Sequence, residues 1–85
     1  MEYVYMLHCS DDSYYIGWTN DIEKRVAAHN TRKGAKYTRT RLPAKLVYLE
    51  SYEDRSTAKK REIQLKKLNH RERERLAEAF TEKNL

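Results

Sequence analysis

The chain has a single cysteine, Cys9, so it cannot form an internal disulfide, and a reducing cytoplasm is the expected setting. It contains only two glycines and one proline in 85 residues, which excludes a low-complexity protein rich in either. It has no apolar run long enough to span a bilayer, and its N-terminus does not resemble a signal peptide. We therefore expect a single cytoplasmic domain, residues 1–85, without a membrane partner.

Acidic residues are absent between Lys24 and Leu49, a stretch that holds eight basic residues. The whole chain has 18 basic and 13 acidic residues, for a net charge of +5. The other 10 basic residues are set against all 13 acids, so the remainder of the chain carries −3. A polyanion such as nucleic acid is the simplest partner for this central stretch. A solvated basic loop explains the charge alone equally well.

Turn and capping residues divide the chain into six predicted elements. Strands are predicted from Tyr3 to Cys9, Tyr14 to Trp18 and Lys45 to Tyr52, and helices from Ile22 to about Arg32, from the capping residues after Glu53 to about Leu68, and from Asn69 to about Phe80. The segment from Lys33 to Pro43 contains Gly34 and several threonines, which indicates an irregular basic loop. The order β-β-α-β-α-α predicts an α+β fold with helices packed on a sheet.

Two charged residues lie on the apolar stripes of predicted helices. Arg25 shares a helical face with Ile22 and Val26, and Glu62 falls on the apolar arc of the next helix. Arginine cannot lose its charge, so placing it against a core requires an anion nearby. One interpretation is a structural Arg25–Glu62 ion pair. In the other, both converge on a phosphate, where Glu62 holds a divalent metal and Arg25 neutralises phosphoryl charge.

The chain has seven tyrosines against one phenylalanine, and β-propensity with hydroxyls at the surface explains most of them. Several short motifs, however, follow one another in an order that resembles the GIY-YIG nuclease domain, in its small stand-alone and mostly uncharacterised branch. These motifs are Tyr3-Val4-Tyr5, Tyr15-Ile16-Gly17, Arg25, His29, Glu62 and the stretch from Gly34 to Arg39. The resemblance extends from Tyr3 to about Phe80. It departs from the family name at Tyr3, where glycine is usual, and at Val4.

The resemblance implies a three-stranded antiparallel sheet flanked by helices, and a metal-dependent endonuclease that hydrolyses phosphodiester bonds in DNA repair or processing. It assigns catalytic roles to Tyr5 and Tyr15 as the motif tyrosines, to Arg25 as the phosphate-binding arginine, and to Glu62 as the metal-binding glutamate. His29 falls where the family often has histidine or tyrosine. Either tyrosine can be the general base. Because the ordinary pKa of tyrosine is about 10, a neighbouring group must favour its deprotonated form near pH 7.

The predicted cofactor is Mg²⁺ or Mn²⁺. A single carboxylate suits magnesium, which keeps several waters and takes other ligands from substrate phosphate, so the ion is expected to bind weakly without nucleic acid. The scattered histidines and the lone cysteine do not suit a closed zinc site.

The expected partner is nucleic acid, with DNA favoured over RNA. The residues expected to contact it are Arg32, Lys33, Lys36, Tyr37, Arg39 and Arg41. Two alternatives remain open: a nucleic-acid-binding module that keeps the nuclease fold with little turnover, and a protein-interaction module that docks through its last helix. A protein partner that supplies specificity also remains open, because phosphate contacts alone carry little sequence information.

A joint role for Tyr5 and Tyr15 requires that both rings lie on one face of the sheet. Side chains alternate along each strand, so these two odd-numbered residues share a face only when the hairpin loop has odd length. We predict a loop of three or five residues.

Overall fold

Three antiparallel strands form the centre of the molecule in the order β2-β1-β3. The computed structural model describes residues 1–84. The strands are β1 (Glu2–His8), β2 (Tyr14–Thr19) and β3 (Lys45–Tyr52), and the helices are α1 (Ile22–Asn30), α2 (Lys36–Arg39), α3 (Arg55–Lys66) and α4 (His70–Lys83). The predicted α+β fold and its β-β-α-β-α-α order are confirmed, with α2 as a one-turn addition.

The three longer helices, α1, α3 and α4, begin where polar residues cap them. The side chain of Asp21 accepts a hydrogen bond from Lys24 N–H at the start of α1, and Asp54 does the same for α3. Asn69 and Glu72 form a reciprocal capping box at the start of α4. These starts agree with the sequence, whereas the ends differ by a few residues, because no proline or glycine marks them.

The predicted irregular loop between Lys33 and Pro43 is corrected by the structure, because it contains α2. Thr38 lies in this turn with none of its surface exposed, and its backbone N–H donates to Ala35 O. One helical turn is too short to show a 3.6-residue apolar period, so the pattern of the sequence could not reveal it.

The two faces of the sheet carry separate cores. One face buries Val4, Met6 and Ile16 against α3 and α4. The opposite face buries Tyr5 and Leu7 beneath α1. The tyrosine motifs therefore face α1, and α3 packs on the other side of the sheet.

The register of the first hairpin confirms the predicted geometry. Tyr5 lies opposite Gly17 and Leu7 lies opposite Tyr15, so the two tyrosines share a face. Residues 9–13 form the five-residue loop that joins β1 and β2. The two tyrosine ring centroids are 6.4 Å apart.

Helix α3 runs alongside the edge strand β2. Near the helix start, Arg55 lies over the ring of Trp18, close to the end of β2. Near the helix end, the Arg73 guanidinium donates to the carbonyls of both Tyr14 and Lys66, which joins the end of α3 to the beginning of β2. The helix and the strand therefore run in opposite directions along the same edge. Within residues 1–84, no helix combines the length and apolar character needed to cross a membrane.

We predict that Leu65→Ala lowers the free energy of unfolding by about 2–5 kcal/mol, because Leu65 is 2% exposed and its truncation leaves a cavity in the core. Ile63→Ala is the matched control on the same helix. Ile63 is 56% exposed, so we expect a change of no more than about 0.5 kcal/mol. Urea denaturation followed by circular dichroism measures both, and equal losses in the two variants would contradict this assignment of the core.

Candidate active site

A buried chain of three side chains connects β1, α1 and α2. Tyr5, His29 and Thr38 each have 0% of their surface exposed. The Tyr5 hydroxyl lies 2.9 Å from His29 Nε2, and His29 Nδ1 lies 2.7 Å from the Thr38 hydroxyl. The Thr38 hydroxyl donates its only proton to Ala35 O, at 3.0 Å, so it must accept from His29 Nδ1–H.

This arrangement fixes the tautomer of His29. Burial lowers the pKa of the imidazole, and the positive charge of Arg25 lowers it further, so the ring is neutral near pH 7. A neutral ring that carries its proton on Nδ1 has an unprotonated Nε2. The Tyr5 O–H therefore donates to His29 Nε2.

Arg25 reaches the same hydroxyl from the other side. Its Nε–H donates to the Tyr5 oxygen at 3.4 Å, and this hydrogen bond raises the pKa of the guanidinium. Burial raises the pKa of Tyr5, with the hydrogen bond from Arg25 acting in the opposite direction. Arg25 also borders an open cleft of about 250 Å³ between the end of β2 and α1. Its guanidinium is thus oriented by Tyr5 and lies next to open space.

The structural ion pair between Arg25 and Glu62, the first of the two interpretations of these residues, is absent. No ion pair among residues 1–84 involves Arg25, and the Glu62 carboxylate contacts Lys66 Nζ instead, at 3.6 Å. The Glu62 side chain is only 16% exposed. This leaves Arg25 without a protein anion, in agreement with the interpretation in which the anion comes from a ligand.

Glu62 lies close enough to the tyrosines for its charge to act on them. Burial raises the pKa of Tyr15, Arg25 lowers it, and the negative charge of Glu62 raises it. The same carboxylate is among the charges that raise the pKa of Tyr5, after burial and the charge of Tyr15. The structure therefore joins four of the predicted catalytic residues by direct contacts: Tyr5, Tyr15, Arg25 and His29. Glu62, on α3, acts on the two tyrosines through its charge.

Glu62 is the carboxylate that the sequence predicts as the metal ligand. Within residues 1–84, no group of three or more histidine, cysteine, aspartate or glutamate side chains is arranged to hold an ion. Glu62 alone fits magnesium or manganese, whose remaining ligands are water and phosphate oxygens. It does not fit a closed structural metal site.

Tyr15 is the more accessible of the two motif tyrosines. It is half-buried and lines a second open cleft, of about 230 Å³, together with Tyr37 and Lys66. The Tyr15 and Tyr37 rings stack with their centroids 6.0 Å apart. The His29 ring lies 5.2 Å from the Tyr15 ring and tilted against it, so Tyr15 covers the buried chain from the solvent side.

Two glycines allow the buried chain to form. A Cβ atom on Gly17 would lie 2.5 Å from the Tyr5 hydroxyl oxygen, and one on Gly34 would lie 2.5 Å from His29 Nδ1. Both distances are far below van der Waals contact, so any side chain at either position would displace the ring. The glycine of the Tyr15-Ile16-Gly17 motif is thus explained by the Tyr5 ring that lies across it.

The six residues predicted to bind nucleic acid fall into two groups. Four of them are exposed side chains on the segment from the end of α1 through α2: Arg32, Lys33, Lys36 and Arg39. The other two, Tyr37 and Arg41, contact each other, with the Arg41 guanidinium 4.0 Å from the Tyr37 ring centroid. Arg41 Nε also donates to Asp11 at 2.9 Å, which joins the α2 segment to the hairpin loop. Contact of these six residues with nucleic acid stays a prediction.

Sequence reasoning missed Thr38 and the role of Gly34. Thr38 has no distinctive neighbour in the sequence, and threonine in a basic loop is ordinary surface composition. Gly34 and Thr38 both belong to the stretch from Gly34 to Arg39 that resembles the family, and this was the one available signal. Only the folded chain places that stretch against His29.

Comparisons with known proteins support the family resemblance and the fold. The family model described as the GIY-YIG catalytic domain matches residues 1–75. A UPF0213 protein of Clostridium perfringens is 53% identical over 73 residues, which cover 86% of this chain and 78% of that protein. A UPF0213 protein of Haloquadratum walsbyi is 46% identical over 82 residues, covering 96% and 92%.

Solved structures give the same result. The solution NMR structure of a UPF0213 protein from Bacillus halodurans matches with a TM-score of 0.58 and 40% identity, covering 93% of this chain and 85% of that one. A protein from E. faecalis, also solved by NMR, matches with a TM-score of 0.61 and 39% identity, covering 94% and 85%. The resemblance indicated by the motifs is confirmed.

We predict that nitrogen NMR shows His29 as the neutral Nδ1–H tautomer near pH 7, with a pKa below the ordinary value of about 6.5. The His29→Gln spectrum identifies the signals that belong to this ring. Folding lowers this pKa, so the unfolded chain binds the proton first as the pH falls through about 6.5. The free energy of unfolding should therefore decrease as the pH falls from about 6.5 toward the lower pKa of the folded state, and less so in His29→Gln. An Nε2–H ring would overturn the assigned direction of both hydrogen bonds.

Proposed function

Because the chain belongs to the GIY-YIG catalytic domain family, we propose that it is an endonuclease that hydrolyses phosphodiester bonds in nucleic acid, with Mg²⁺ or Mn²⁺ as cofactor. The observation that carries this proposal is the Arg25 guanidinium. It is fixed by Tyr5, lacks a carboxylate partner among residues 1–84 and borders an open cleft. A phosphodiester supplies the missing anion, and a guanidinium binds phosphate oxygens with well-defined geometry.

In the proposed reaction, water attacks phosphorus in line with the departing oxygen. A new P–O bond forms to the water oxygen, and the bond to the leaving oxygen breaks, with its electron pair going to that oxygen. Arg25 donates hydrogen bonds to the phosphoryl oxygens, where negative charge accumulates in the transition state. A divalent ion held by Glu62 would supply further positive charge at the phosphate.

Tyr15 is the tyrosine that we assign to contact the attacking water. Its ring lines an open cleft, whereas Tyr5 is fully buried and its hydroxyl is already hydrogen-bonded to Arg25 and His29. In its deprotonated form, Tyr15 accepts a proton from the water as it attacks, and the leaving oxygen takes a proton from solvent. Tyr5 acts as a positioning residue that holds the arginine in place.

The neutral state of His29 supports this division of roles. Because the pKa of the imidazole is lowered, first by burial and then by Arg25, it is a poor acceptor for the Tyr5 proton. Tyr5 therefore stays a neutral phenol, whose oxygen can accept from Arg25 while its proton remains directed at His29. The ring holds Tyr5 in one orientation and does not remove its proton.

Cleavage is tested on labelled single-stranded, duplex, flapped, branched and closed circular DNA and on RNA, with Mg²⁺ or Mn²⁺ or with EDTA. We expect metal-dependent cutting, including of the circle, which lacks ends. Arg25→Ala should lower the rate by about 10²–10³-fold, the usual cost of removing one transition-state donor. Glu62→Gln should abolish the metal-dependent cutting, because it removes the carboxylate that would hold the ion. Arg75→Ala and Glu78→Gln, on exposed positions of α4, are controls with the same charge changes and should cut like wild type.

Cutting at the wild-type rate in both site variants would contradict the proposed site. Salt-sensitive binding without any cutting would favour the alternative of a binding module that keeps the fold but has little turnover.

A second experiment separates the two tyrosines by pH. Burial raises the pKa of Tyr15, so the deprotonated fraction grows tenfold for each pH unit below that pKa, and the wild-type rate should rise with pH. Tyr15→Phe should lower kcat by about 10²–10⁴-fold and lose this rise. Tyr5→Phe should lower kcat but keep the rise, since it only loosens Arg25. If the rate of Tyr5→Phe did not change with pH while the rate of Tyr15→Phe still rose as in wild type, Tyr5 would be the base instead of Tyr15.

A further inference from the structure

A second group of basic residues lies on α3, where the charge balance of the sequence concealed it. The helix and the residue after it, residues 55–67, contain six basic residues and one acid, Glu62. Outside residues 24–49 the chain carries −3, because twelve further acids are spread over the remaining segments. The net charge of the remainder therefore hides a strongly basic helix.

Four charged residues of α3 form one row on its surface. They stand at positions i, i+4, i+7 and i+11, which share one helical face: Arg55, Lys59, Glu62 and Lys66. The three basic members of this α3 row are exposed. At 1.5 Å per residue the row is about 16 Å long, the axial rise of about five base pairs of duplex. Glu62, the proposed metal ligand, lies within it.

The first two members of the row contact the only tryptophan of the chain. The Arg55 guanidinium lies 5.5 Å and Lys59 Nζ lies 5.3 Å from the ring centroid of Trp18, within the range of cation–π attraction. No ion pair among residues 1–84 involves Arg55 or Lys59. Both cations are thus held in place by an aromatic ring, while their charges are not neutralised.

We propose that Arg55 and Lys59, together with Trp18, form a second nucleic-acid-binding surface that contacts backbone phosphates on the Trp18 side of Glu62. This inference rests on the proposed function, because it places a substrate strand over the site. The strand passes from the exposed basic residues of the α2 segment, across Tyr15 and Glu62, to the first half of α3. Since α3 runs along the edge strand β2, the surface continues directly from the site.

The test measures binding of labelled duplex DNA and of its separated strands in EDTA, so that cleavage does not interfere. Arg55→Gln/Lys59→Gln is compared with Arg71→Gln/Arg75→Gln, which removes the same charge from exposed positions of α4. Each phosphate contact contributes about 0.7 (single strand) to 0.9 (duplex) to the slope of log affinity against log salt. We expect the α3 variant to lower this slope by about 1.4–1.8 and the α4 variant to leave it unchanged.

Tryptophan fluorescence gives an independent local measurement, because Trp18 is the only tryptophan in the sequence. Its emission should change when wild type binds DNA and should change less in the α3 variant. Three results would each contradict the proposed surface. They are an unchanged Trp18 emission when wild type binds DNA, an unchanged salt slope in the α3 variant, and an equal loss of salt slope in the α4 variant.

The outcome separates this inference from the proposed function. If wild type binds DNA, the variants show the expected salt slopes and no substrate is cut, the proposed surface is supported and the proposed hydrolysis is wrong. If wild type cuts in a Glu62-dependent manner while the α3 variant keeps the wild-type slope, the hydrolysis stands and the surface is wrong. If wild type does not bind nucleic acid, both are wrong.

Discussion

The hydrogen-bonded chain from Tyr5 through His29 to Thr38 is the constraint on which the rest of the site depends. Its three members come from a strand, a helix and the α2 turn, and all are fully buried, so each polar atom must find its partner inside the protein. This requirement explains the backbone around it. A side chain at Gly17 would collide with the Tyr5 ring, and one at Gly34 would collide with the His29 ring, so both positions require glycine.

The hydrogen-bonded chain of Tyr5, His29 and Thr38 also determines the charges of the residues around it. A neutral His29 lets Tyr5 keep its proton and accept from Arg25, whose charge stays unneutralised by any carboxylate of residues 1–84. On α3, the Glu62 carboxylate contacts Lys66 Nζ at 3.6 Å. A partly buried guanidinium that no carboxylate neutralises lowers the stability of the fold, and such groups are frequent at functional sites. Under the proposed function, the phosphate of a nucleic acid supplies the missing anion.

The sequence predicted the fold well because its elements are signalled locally. Asp21, Asp54 and Asn69 cap helices where they were expected to, and the odd spacing of Tyr5 and Tyr15 placed them on one sheet face. The five catalytic candidates came from the ordered motifs, and the structure brings four of them, Tyr5, Tyr15, Arg25 and His29, into direct contact. The α2 turn was missed because a single turn has no periodicity, and Thr38 was missed because its burial depends on contacts with residues distant in the sequence.

The sequence by itself determined which residue types are available and in what order, and this was enough to establish the family and the faces of each strand. The tertiary structure alone decided how the charges are paired. Arg25 and Glu62 looked equally suited to pair with each other, yet Glu62 contacts Lys66 and Arg25 contacts Tyr5. Likewise, the basic residues of α3 can be counted in the sequence, but only the fold places Arg55 and Lys59 against Trp18. The physical reason is that periodicity fixes the direction of a side chain on its own element, whereas its partners depend on how elements pack in space.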